Sequence, residues 1–388
     1  MLLCNLYSIS QELQVDILIK DRKIDYVGNY EDISPAVVIP STIKFNNAIV
    51  FPGLINSHDH LEFNSFPQLG NRFYNNYVEW GDDIHRQNKN IIDRVLKIPK
   101  FLRIQWGIYK NLLNGITTVV NHGARLPVKD ALITVWQHSY SLHSVKLEKR
   151  WKYKLNSPFI SKRSFSIHIG EGADILAHEE VNEIIKWNLF NRELIGIHAV
   201  SIDEKQAARF KALVWCPDSN YFLLGRTGPM DKIKKYTKVL FGTDSTLSSH
   251  WSIWHHIRLA KQEGIVTERE LFSMLTSVPP DVWGMTGCGF IAKGYDADIV
   301  VCRNKSGLKG VSVFCQLNPE DILAVFHKGN IRLFDEEIYS QLYNQGMFLD
   351  GFHKIYVNGS CKYISGNLPQ LIESIKKYYP EAQFPITW

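Results

Sequence analysis

The sequence predicts an α/β protein in two parts: a central region over about residues 51–288 that contains a parallel sheet, and a smaller β-rich domain built from both chain ends. Three observations lead to this prediction. The 388 residues are enough for a barrel of about 250 residues and a satellite domain. Short apolar runs alternate with longer helical patterns in the central region, which is typical of parallel sheets. Hairpin patterns flank that region on both sides.

The hairpin patterns each consist of two strand-like runs around a short turn. They cover residues 15–20 and 24–28, 322–327 and 331–334, and 355–357 and 362–364. In the last of them the turn is Asn358-Gly359, the strongest short hairpin signal. We therefore expect the β segments of the two chain ends to form one split domain. A short helix is expected in the tail, over residues 371–379.

In the central region, the apolar runs predict strands and the stretches between them predict helices. The predicted strands cover residues 48–51, 117–122, 140–147, 164–168, 194–198, 213–216 and 239–244. The predicted helices cover residues 101–113, 179–189 and 204–213. This alternation favours a parallel sheet, either closed or open.

The composition describes a globular chain. Hydrophobic residues make up 45% and charged residues 21% of the sequence, and the net charge of +5 comes from scattered lysines and arginines. No stretch approaches the ~20 apolar residues of a membrane span. The six cysteines show no CxxC spacing and are expected to be reduced thiols. We therefore expect a cytoplasmic protein without nucleic-acid or membrane partners.

Polar residues recur at the carboxyl ends of the predicted strands, where barrels place their active sites. His58 and His60 follow the first strand and can point the same way, because alternate residues of a strand share a face. The other residues of this kind are His168, His198 and Asp244, with Glu171 three residues beyond His168. Imidazole and carboxylate groups gathered at one edge indicate a metal site.

Each of these residues also has a structural interpretation. A single histidine at a strand end is more often a hydrogen-bonded core residue than a ligand. Asp244 could cap a helix, and Glu171, beside two glycines, could be a solvated carboxylate. We interpret His122, which also ends a strand, as structural. The remaining histidines are expected to be structural or on the surface: His85, His138, His143, His178, His250, His255, His256, His327 and His353.

Five motifs resemble, in the same order along the chain, those of the amidohydrolase superfamily. Within it they resemble the branch of cytosine deaminases, guanine deaminases and triazine hydrolases. The motifs are Pro52-Gly53-Leu54-Ile55-Asn56 before His58-Asp59-His60, then His168-Ile169-Gly170-Glu171, Cys216-Pro217-Asp218-Ser219-Asn220, Gly242-Thr243-Asp244-Ser245, and Gly294-Tyr295-Asp296-Ala297-Asp298-Ile299-Val300. The last resembles the segment that re-enters a β-sandwich domain in that family. The resemblance covers residues 13–335.

This resemblance implies a TIM-like (β/α)8 barrel with a small β-sandwich domain. The implied domains are a sandwich from residues 1–50 and 289–365, a barrel over 51–288, and a C-terminal tail helix within 366–388. The interval between His60 and His168 is short for the family. Residues 146–163 are basic and aromatic and predict no helix. We therefore expect the barrel to be compressed or irregular around its third and fourth strands.

The resemblance also implies a hydrolytic centre with one divalent metal ion. The implied ligands are His58, His60, His168 and Asp244, which suit zinc, with iron as the alternative. A metal-bound hydroxide would add to an sp² carbon, with Asp244 as general base, Glu171 as proton relay and His198 stabilising the oxyanion or orienting the hydroxide. Two-metal members of the superfamily use a carboxylated lysine. Lys146 is the candidate here, and the His168–Glu171 motif argues against that role.

The implied activity is hydrolytic deamination of an aminated nitrogen heterocycle, a small molecule. The alternatives are hydrolysis of a cyclic amide or of a halogenated ring, and a scaffold without catalysis. The oligomeric state that we consider is a homodimer. Substrate-binding residues are not identified. The aromatic loop 63–85 is expected either to cover the site and stack on a planar substrate or to pack against the barrel rim.

Overall fold

The computed structural model describes residues 1–32, 41–129, 131–159 and 163–388. The strands are β1 Leu2–Ser8, β2 Leu13–Lys20, β3 Lys23–Gly28, β4 Thr42–Pro52, β5 Leu54–Asp59, β6 Ile116–Asn121, β7 Thr134–Trp136, β8 Tyr140–Ser144, β9 Phe165–Ile169, β10 Leu194–His198, β11 Ala212–Trp215, β12 Lys238–Phe241, β13 Ile299–Arg303, β14 Ile322–His327, β15 Asn330–Asp335, β16 Phe352–Val357, β17 Ser360–Ser365 and β18 Ile386–Thr387. The helices are α1 Tyr77–Gln87, α2 Lys89–Lys97, α3 Lys100–Leu112, α4 Trp151–Leu155, α5 Ile175–Trp187, α6 Glu204–Ala207, α7 Pro217–Leu224, α8 Met230–Ile233, α9 Ile253–Glu263, α10 Glu268–Leu275, α11 Val278–Trp283, α12 Val311–Phe314, α13 Tyr339–Asn344 and α14 Leu368–Lys376.

Strands from the two chain ends share one ten-stranded mixed sheet. Its order is β18-β16-β17-β15-β14-β13-β4-β1-β2-β3, so the two ends meet where β4 pairs antiparallel with β13. The three predicted hairpins are the antiparallel pairs β2–β3, β14–β15 and β16–β17. Asn358 and Gly359 have φ of +46° and +80°, the left-handed backbone that a two-residue hairpin turn of this kind requires.

The central region contains two parallel sheets that follow the chain order. One consists of β5, β6 and β7, and the other of β8 to β12. The first and the last of these strands lie side by side at their carboxyl ends, because the backbone N–H groups of Thr243 and Asp244 donate to the carbonyl oxygen of His58 at 3.1 and 3.0 Å. Gly242 permits this approach, since a Cβ there would lie 2.7 Å from that of His58. The predicted α/β class is confirmed.

The parallel strands are irregular around β7 and β8, where the sequence predicted a compressed barrel. Strand β7 has three residues, and only residues 137–139 connect it to β8. The predicted strand 140–147 ends at Ser144. The prediction of no helix in residues 146–163 is wrong, because α4 forms there and buries Trp151 and Leu155, which lie one turn apart. Residues 160–162 lie outside the described residues.

Two other helix predictions also need correction. The predicted helix 204–213 ends at Ala207, because the chain turns there and residues 212–215 join the parallel sheet as β11. The predicted loop 63–85 is helical from Tyr77, where α1 begins. The Asn76 side chain accepts hydrogen bonds from the N–H groups of Val78 and Glu79 and so caps that helix. The tail helix lies at residues 368–376 instead of 371–379.

The cysteines and the helix lengths agree with the composition. All six cysteines are free thiols, and five of them are buried. Within the described ranges, every helix is too short or too polar to cross a bilayer. The cytoplasmic location, the domain boundaries and the homodimer stay predictions.

Candidate metal centre

Four of the predicted site residues converge at the carboxyl ends of β5, β9 and β12. The Nε2 atom of His168 lies 3.2 Å from that of His60 and 3.3 Å from that of His58. The Asp244 Oδ1 atom lies 3.6 Å from His58 Nε2 and 3.7 Å from His60 Nε2. The structure therefore brings together the predicted ligands His58, His60, His168 and Asp244.

The spacing of these donor atoms fits a tetrahedral ion. An ion bound at about 2.0–2.1 Å by four donors holds those donors about 3.3 Å apart, and the separations here are 3.2 to 3.7 Å. Within the part of the chain that the structure describes, two overlapping groups could hold a metal: His58 with His60 and His168, and His58 with His198 and Asp244. Imidazole and carboxylate donors suit zinc, and they also suit iron.

His60 and His168 are held in the neutral form that metal binding requires. Burial, reinforced by the neighbouring imidazoles, lowers the pKa of His60 to about 3 and that of His168 well below its usual range. The Nδ1 atom of His168 donates to the His143 carbonyl oxygen at 2.7 Å, so its Nε2 carries a lone pair. That lone pair faces the Nε2 atoms of His60 and His58 at 3.2 and 3.3 Å, the position in which a shared cation would accept it.

Asp244 is held with one oxygen towards the imidazoles. The hydroxyl groups of Ser219 and Ser248 donate to its Oδ2 atom at 2.9 and 2.7 Å, which leaves Oδ1 facing the cluster. Burial acts to raise the pKa of Asp244, but the hydrogen bond and electrostatic attraction of His58, together with the attraction of the other imidazoles, outweigh burial and hold the pKa well below its usual range. The carboxylate is therefore ionised at neutral pH.

Glu171 lies buried beside the cluster, in surroundings that favour its protonated form. Burial, and then the negative charges of Asp244 and Glu180, raise the pKa of Glu171 well above its usual range. Its Oε1 atom lies 3.5 Å from His198 Nε2. A buried carboxyl group that keeps its proton can serve as a proton donor.

His198 is oriented by Asn220, with its Nδ1 atom donating to Asn220 Oδ1 at 2.9 Å. Burial lowers the pKa of His198 to about 4, so its Nε2 atom is an acceptor. This arrangement favours the orienting role over the oxyanion-stabilising role, because a neutral imidazole with its proton on Nδ1 has no donor at Nε2. The backbone φ of His198 is +73°, a left-handed conformation that is strained for a residue with a side chain.

The motif 216–220 now has a structural explanation. Pro217 begins α7, and the helix directs Ser219 to the carboxylate of Asp244 and Asn220 to the imidazole of His198. The motif therefore contributes no ligand itself; it orients two residues that the strands supply.

His122 lies close to the cluster but has other partners. Its Nε2 atom donates to the Leu142 carbonyl oxygen at 3.1 Å, and its Nδ1 atom lies 3.4 Å from Ser166 Oγ. Both ring nitrogens thus have protein partners, in keeping with the predicted structural role. Lys146 is exposed and lies outside the ligand cluster.

Sequence reasoning missed a charged network beneath the cluster. Lys110 of α3 donates to Asp59, which lies between the two histidines of the first motif, at 3.1 Å. Both side chains are 0% exposed. The alternation of a strand places Asp59 opposite His58, and that signal indicates a buried carboxylate; no sequence pattern identifies Lys110 as its partner.

The aromatic segment 63–77 lies against chain segments that follow three of the site strands. Its backbone N–H groups donate from Tyr77 to Glu171 O at 3.1 Å, from Tyr74 to Leu223 O at 2.8 Å, and from Leu69 to Leu247 O at 3.0 Å. The Phe63 ring centroid lies 5.6 Å from that of His60. The segment therefore lies over the cluster.

Several known proteins resemble this chain in sequence or in fold. No protein-family model matches the chain. The chain is 24% identical to the 5-methylthioadenosine/S-adenosylhomocysteine deaminase of Pyrococcus furiosus, over 88% of this chain and 95% of that protein. The crystal structure of atrazine chlorohydrolase TrzN from Arthrobacter aurescens, complexed with zinc, has a TM-score of 0.67 and 17% identity, with 97% of this chain and 99% of that chain covered. An adenosine deaminase from Xanthomonas campestris with bound zinc has a TM-score of 0.69 and 14% identity, with 98% of each chain covered.

The sequence similarity and the shared fold confirm the predicted resemblance to the amidohydrolase superfamily. The structural neighbours contain zinc, which agrees with the predicted cofactor and with the donor set found here.

Proposed function

We propose that this chain is a zinc-dependent hydrolase that deaminates an aminated nitrogen heterocycle. One observation supports this most strongly: three imidazoles and one carboxylate are spaced as for a tetrahedral ion, and beside them lies the buried carboxyl group of Glu171, whose pKa is raised. The relatives support the reaction class, because one is a deaminase of 5-methylthioadenosine and S-adenosylhomocysteine and another is an adenosine deaminase.

We assign the metal to His58, His60, His168 and Asp244. Zinc, when bound, polarises a water molecule and lowers its pKa towards neutrality, so that a nucleophile forms near pH 7. Asp244, ionised and held by two serines, accepts the proton of that water. His198 orients the water through its Nε2 lone pair, since Asn220 fixes its Nδ1 proton.

We assign proton donation to Glu171, because burial raises the pKa of its carboxyl well above the usual range. Glu171 gives its proton to the ring nitrogen as water adds to the carbon–nitrogen double bond. Asp244 then passes the proton it took from water to the departing nitrogen, and the hydroxyl proton of the adduct returns to Glu171 as the carbonyl forms and ammonia leaves. Phe63, at the cluster's edge, offers a face on which a planar ring stacks.

The strand arrangement supports a closed (β/α)8 barrel, compressed at strands β7 and β8. Strands β5 to β7 and β8 to β12 form two parallel sheets that follow the chain order, and the first strand lies against the last. We assign the ten-stranded sheet to the small β-sandwich domain of residues 1–50 and 289–365, with the tail from residue 366 adding strand β18 to it.

A second candidate function is hydrolysis of a halogenated ring or a cyclic amide with the same machinery. The structural likeness to a zinc-containing atrazine chlorohydrolase favours it. The leaving group alone separates the two functions, because both begin with the addition of water to an sp² carbon.

The test is ammonia release from a panel of aminated purines, pyrimidines and triazines by the zinc-loaded protein. We expect ammonia from at least one compound, and no ammonia after removal of zinc with a chelator. A parallel arm with chlorotriazines and cyclic lactams, read by chloride release and ring opening, tests the second candidate. Bound zinc with no turnover in either arm would contradict both functions and favour the scaffold.

A further inference from the structure

A buried ammonium group lies directly beneath the proposed metal centre. The Lys110 Nζ atom donates to Asp59 Oδ2 at 3.1 Å and to Asn64 Oδ1 at 2.9 Å. Lys110 and Asp59 are 0% exposed. A buried ion pair is costly to desolvate, and replacement by apolar residues is often neutral or stabilising. Fold stability alone therefore does not explain why this pair lies here.

The pair is fully hydrogen-bonded on the carboxylate side. Asp59 accepts from Asn64 Nδ2 at 2.8 Å and from Asn111 Nδ2 at 2.7 Å. Asn64 also accepts from the backbone N–H of Thr246 at 3.2 Å. The network therefore joins the loop after His60 to the loop after Asp244.

The same ammonium group reaches the segment that carries Asp244. Lys110 Nζ lies 3.4 Å from Thr243 Oγ1 and 3.4 Å from the Asp244 carbonyl oxygen. Asp244 has φ of +57°, a left-handed conformation that is strained for a residue other than glycine. Contacts that fix its carbonyl oxygen therefore help to hold the carboxylate in the position seen.

We propose that Lys110 is a positioning residue for the metal centre: paired with Asp59, it fixes the loops that carry His60 and Asp244 and thereby sets the affinity for zinc. This inference rests on the proposed metal site, and it assigns Lys110 no contact with the metal or the substrate. Groups that orient ligands in this way typically contribute about 10- to 100-fold to metal affinity.

The chain offers a matched control in Lys362, a second lysine that is 0% exposed. It donates to Asp335 Oδ2 at 2.6 Å and to the Ile322 carbonyl oxygen at 2.7 Å, within the ten-stranded sheet. Lys362→Met therefore removes a comparable buried ion pair without touching the metal-binding loops.

The experiment measures the zinc Kd by competition with a chromogenic chelator, together with Tm, for the wild type, Lys110→Met, Lys362→Met and the neutralised double variant Asp59→Asn/Lys110→Met. We expect Lys110→Met and the double variant to raise the zinc Kd about 10- to 100-fold. Lys362→Met is expected to lower Tm and leave the zinc Kd unchanged.

Three results would overturn the inference. The first is a folded Lys110→Met with the wild-type zinc Kd, and the second is an equal loss of affinity in Lys362→Met. If Lys110→Met does not fold, the zinc Kd of the double variant tests the inference instead, because that variant leaves no unpaired charge in the protein interior. The third is a double variant that fails to fold while Lys362→Met folds, since the pair would then hold the fold and not the site. A wild type that binds no zinc overturns the proposed function itself, and this shows before any variant is made.

Discussion

Replacing Asp244 by asparagine is expected to lower kcat by at least about 10³-fold, because general acid–base groups alone contribute about 10²–10⁴-fold and Asp244 is also a proposed ligand. An asparagine oxygen can still accept from Ser219 and Ser248, which hold the carboxylate at 2.9 and 2.7 Å. The variant should therefore fold while it lacks a group that can take the proton of water. The measurement is kcat on the substrate found by ammonia release, with zinc content determined on the same sample.

The matched control for this substitution is Asp298→Asn. Asp298 is also buried, and its carboxylate accepts a hydrogen bond from His327 Nδ1 at 2.9 Å. Its backbone carbonyl oxygen accepts from the N–H of Gly53, which precedes β5. Asp298 therefore lies at the end of that strand opposite the site. This control is expected to lower Tm and to leave kcat near the wild-type value. An acid–base group contributes about 10²–10⁴-fold to kcat. If the Asp244→Asn protein is loaded with zinc and its kcat falls by less than about tenfold, the role assigned here is contradicted.

Replacing Glu171 by glutamine is expected to lower kcat by about 10²–10⁴-fold, the usual contribution of a proton donor. Glutamine matches the shape of a protonated carboxyl group but has no acidic proton to give. Zinc affinity should change little, because Glu171 is not among the four proposed ligands.

The pH profile gives Glu171 a second, independent test. Burial, with the nearby charges of Asp244 and Glu180, raises the pKa of Glu171, and the proposed donor is the protonated form. The wild-type kcat/KM should therefore fall as the pH rises through that pKa, and this alkaline limb should be absent from Glu171→Gln.

Glu180 provides the control for Glu171. Its carboxyl group is buried, accepts from the Tyr77 hydroxyl at 2.8 Å, and has a pKa that burial raises to about 7. Glu180→Gln should keep most of the turnover, and the alkaline limb should move to lower pH because one negative charge near Glu171 is lost. If Glu180→Gln abolished turnover and Glu171→Gln did not, the donor would be misassigned.

The candidates for the site could be predicted because each leaves a local signal, and the resemblance to the amidohydrolase superfamily then selected the four proposed ligands among them. His58 and His60 share a strand face through simple alternation, and His168 and Asp244 each follow a short buried run. The carboxyl ends of neighbouring parallel strands meet at one edge, so residues far apart in sequence converge without any further information.

The supporting groups could not be predicted, because their partners depend on tertiary packing. Lys110 lies in a helix whose pattern gives no reason to expect a buried ammonium group, and its partner Asp59 is 51 residues away. Helix α4 was missed for the same reason: burial of Trp151 and Leu155 outweighs a weak local preference for helix.

The predicted helix 204–213 is too long, because a short helix and the strand that follows it share one apolar stretch. The helix stops at Ala207 after a capping box formed by Asp203 and Gln206, and the apolar residues that follow belong to β11. Periodicity does not separate a short helix from the strand after it when both are buried.

The zinc content of the purified protein tests the central claim most directly, by elemental analysis of the wild type, His168→Ala and His85→Ala. His168 belongs to the ligand cluster, whereas His85 is exposed on α1. We predict close to one zinc per chain in the wild type and in His85→Ala, and its loss in His168→Ala. A wild type far below one zinc per chain after zinc-replete expression, or a His168→Ala protein that retains its zinc, would contradict the account.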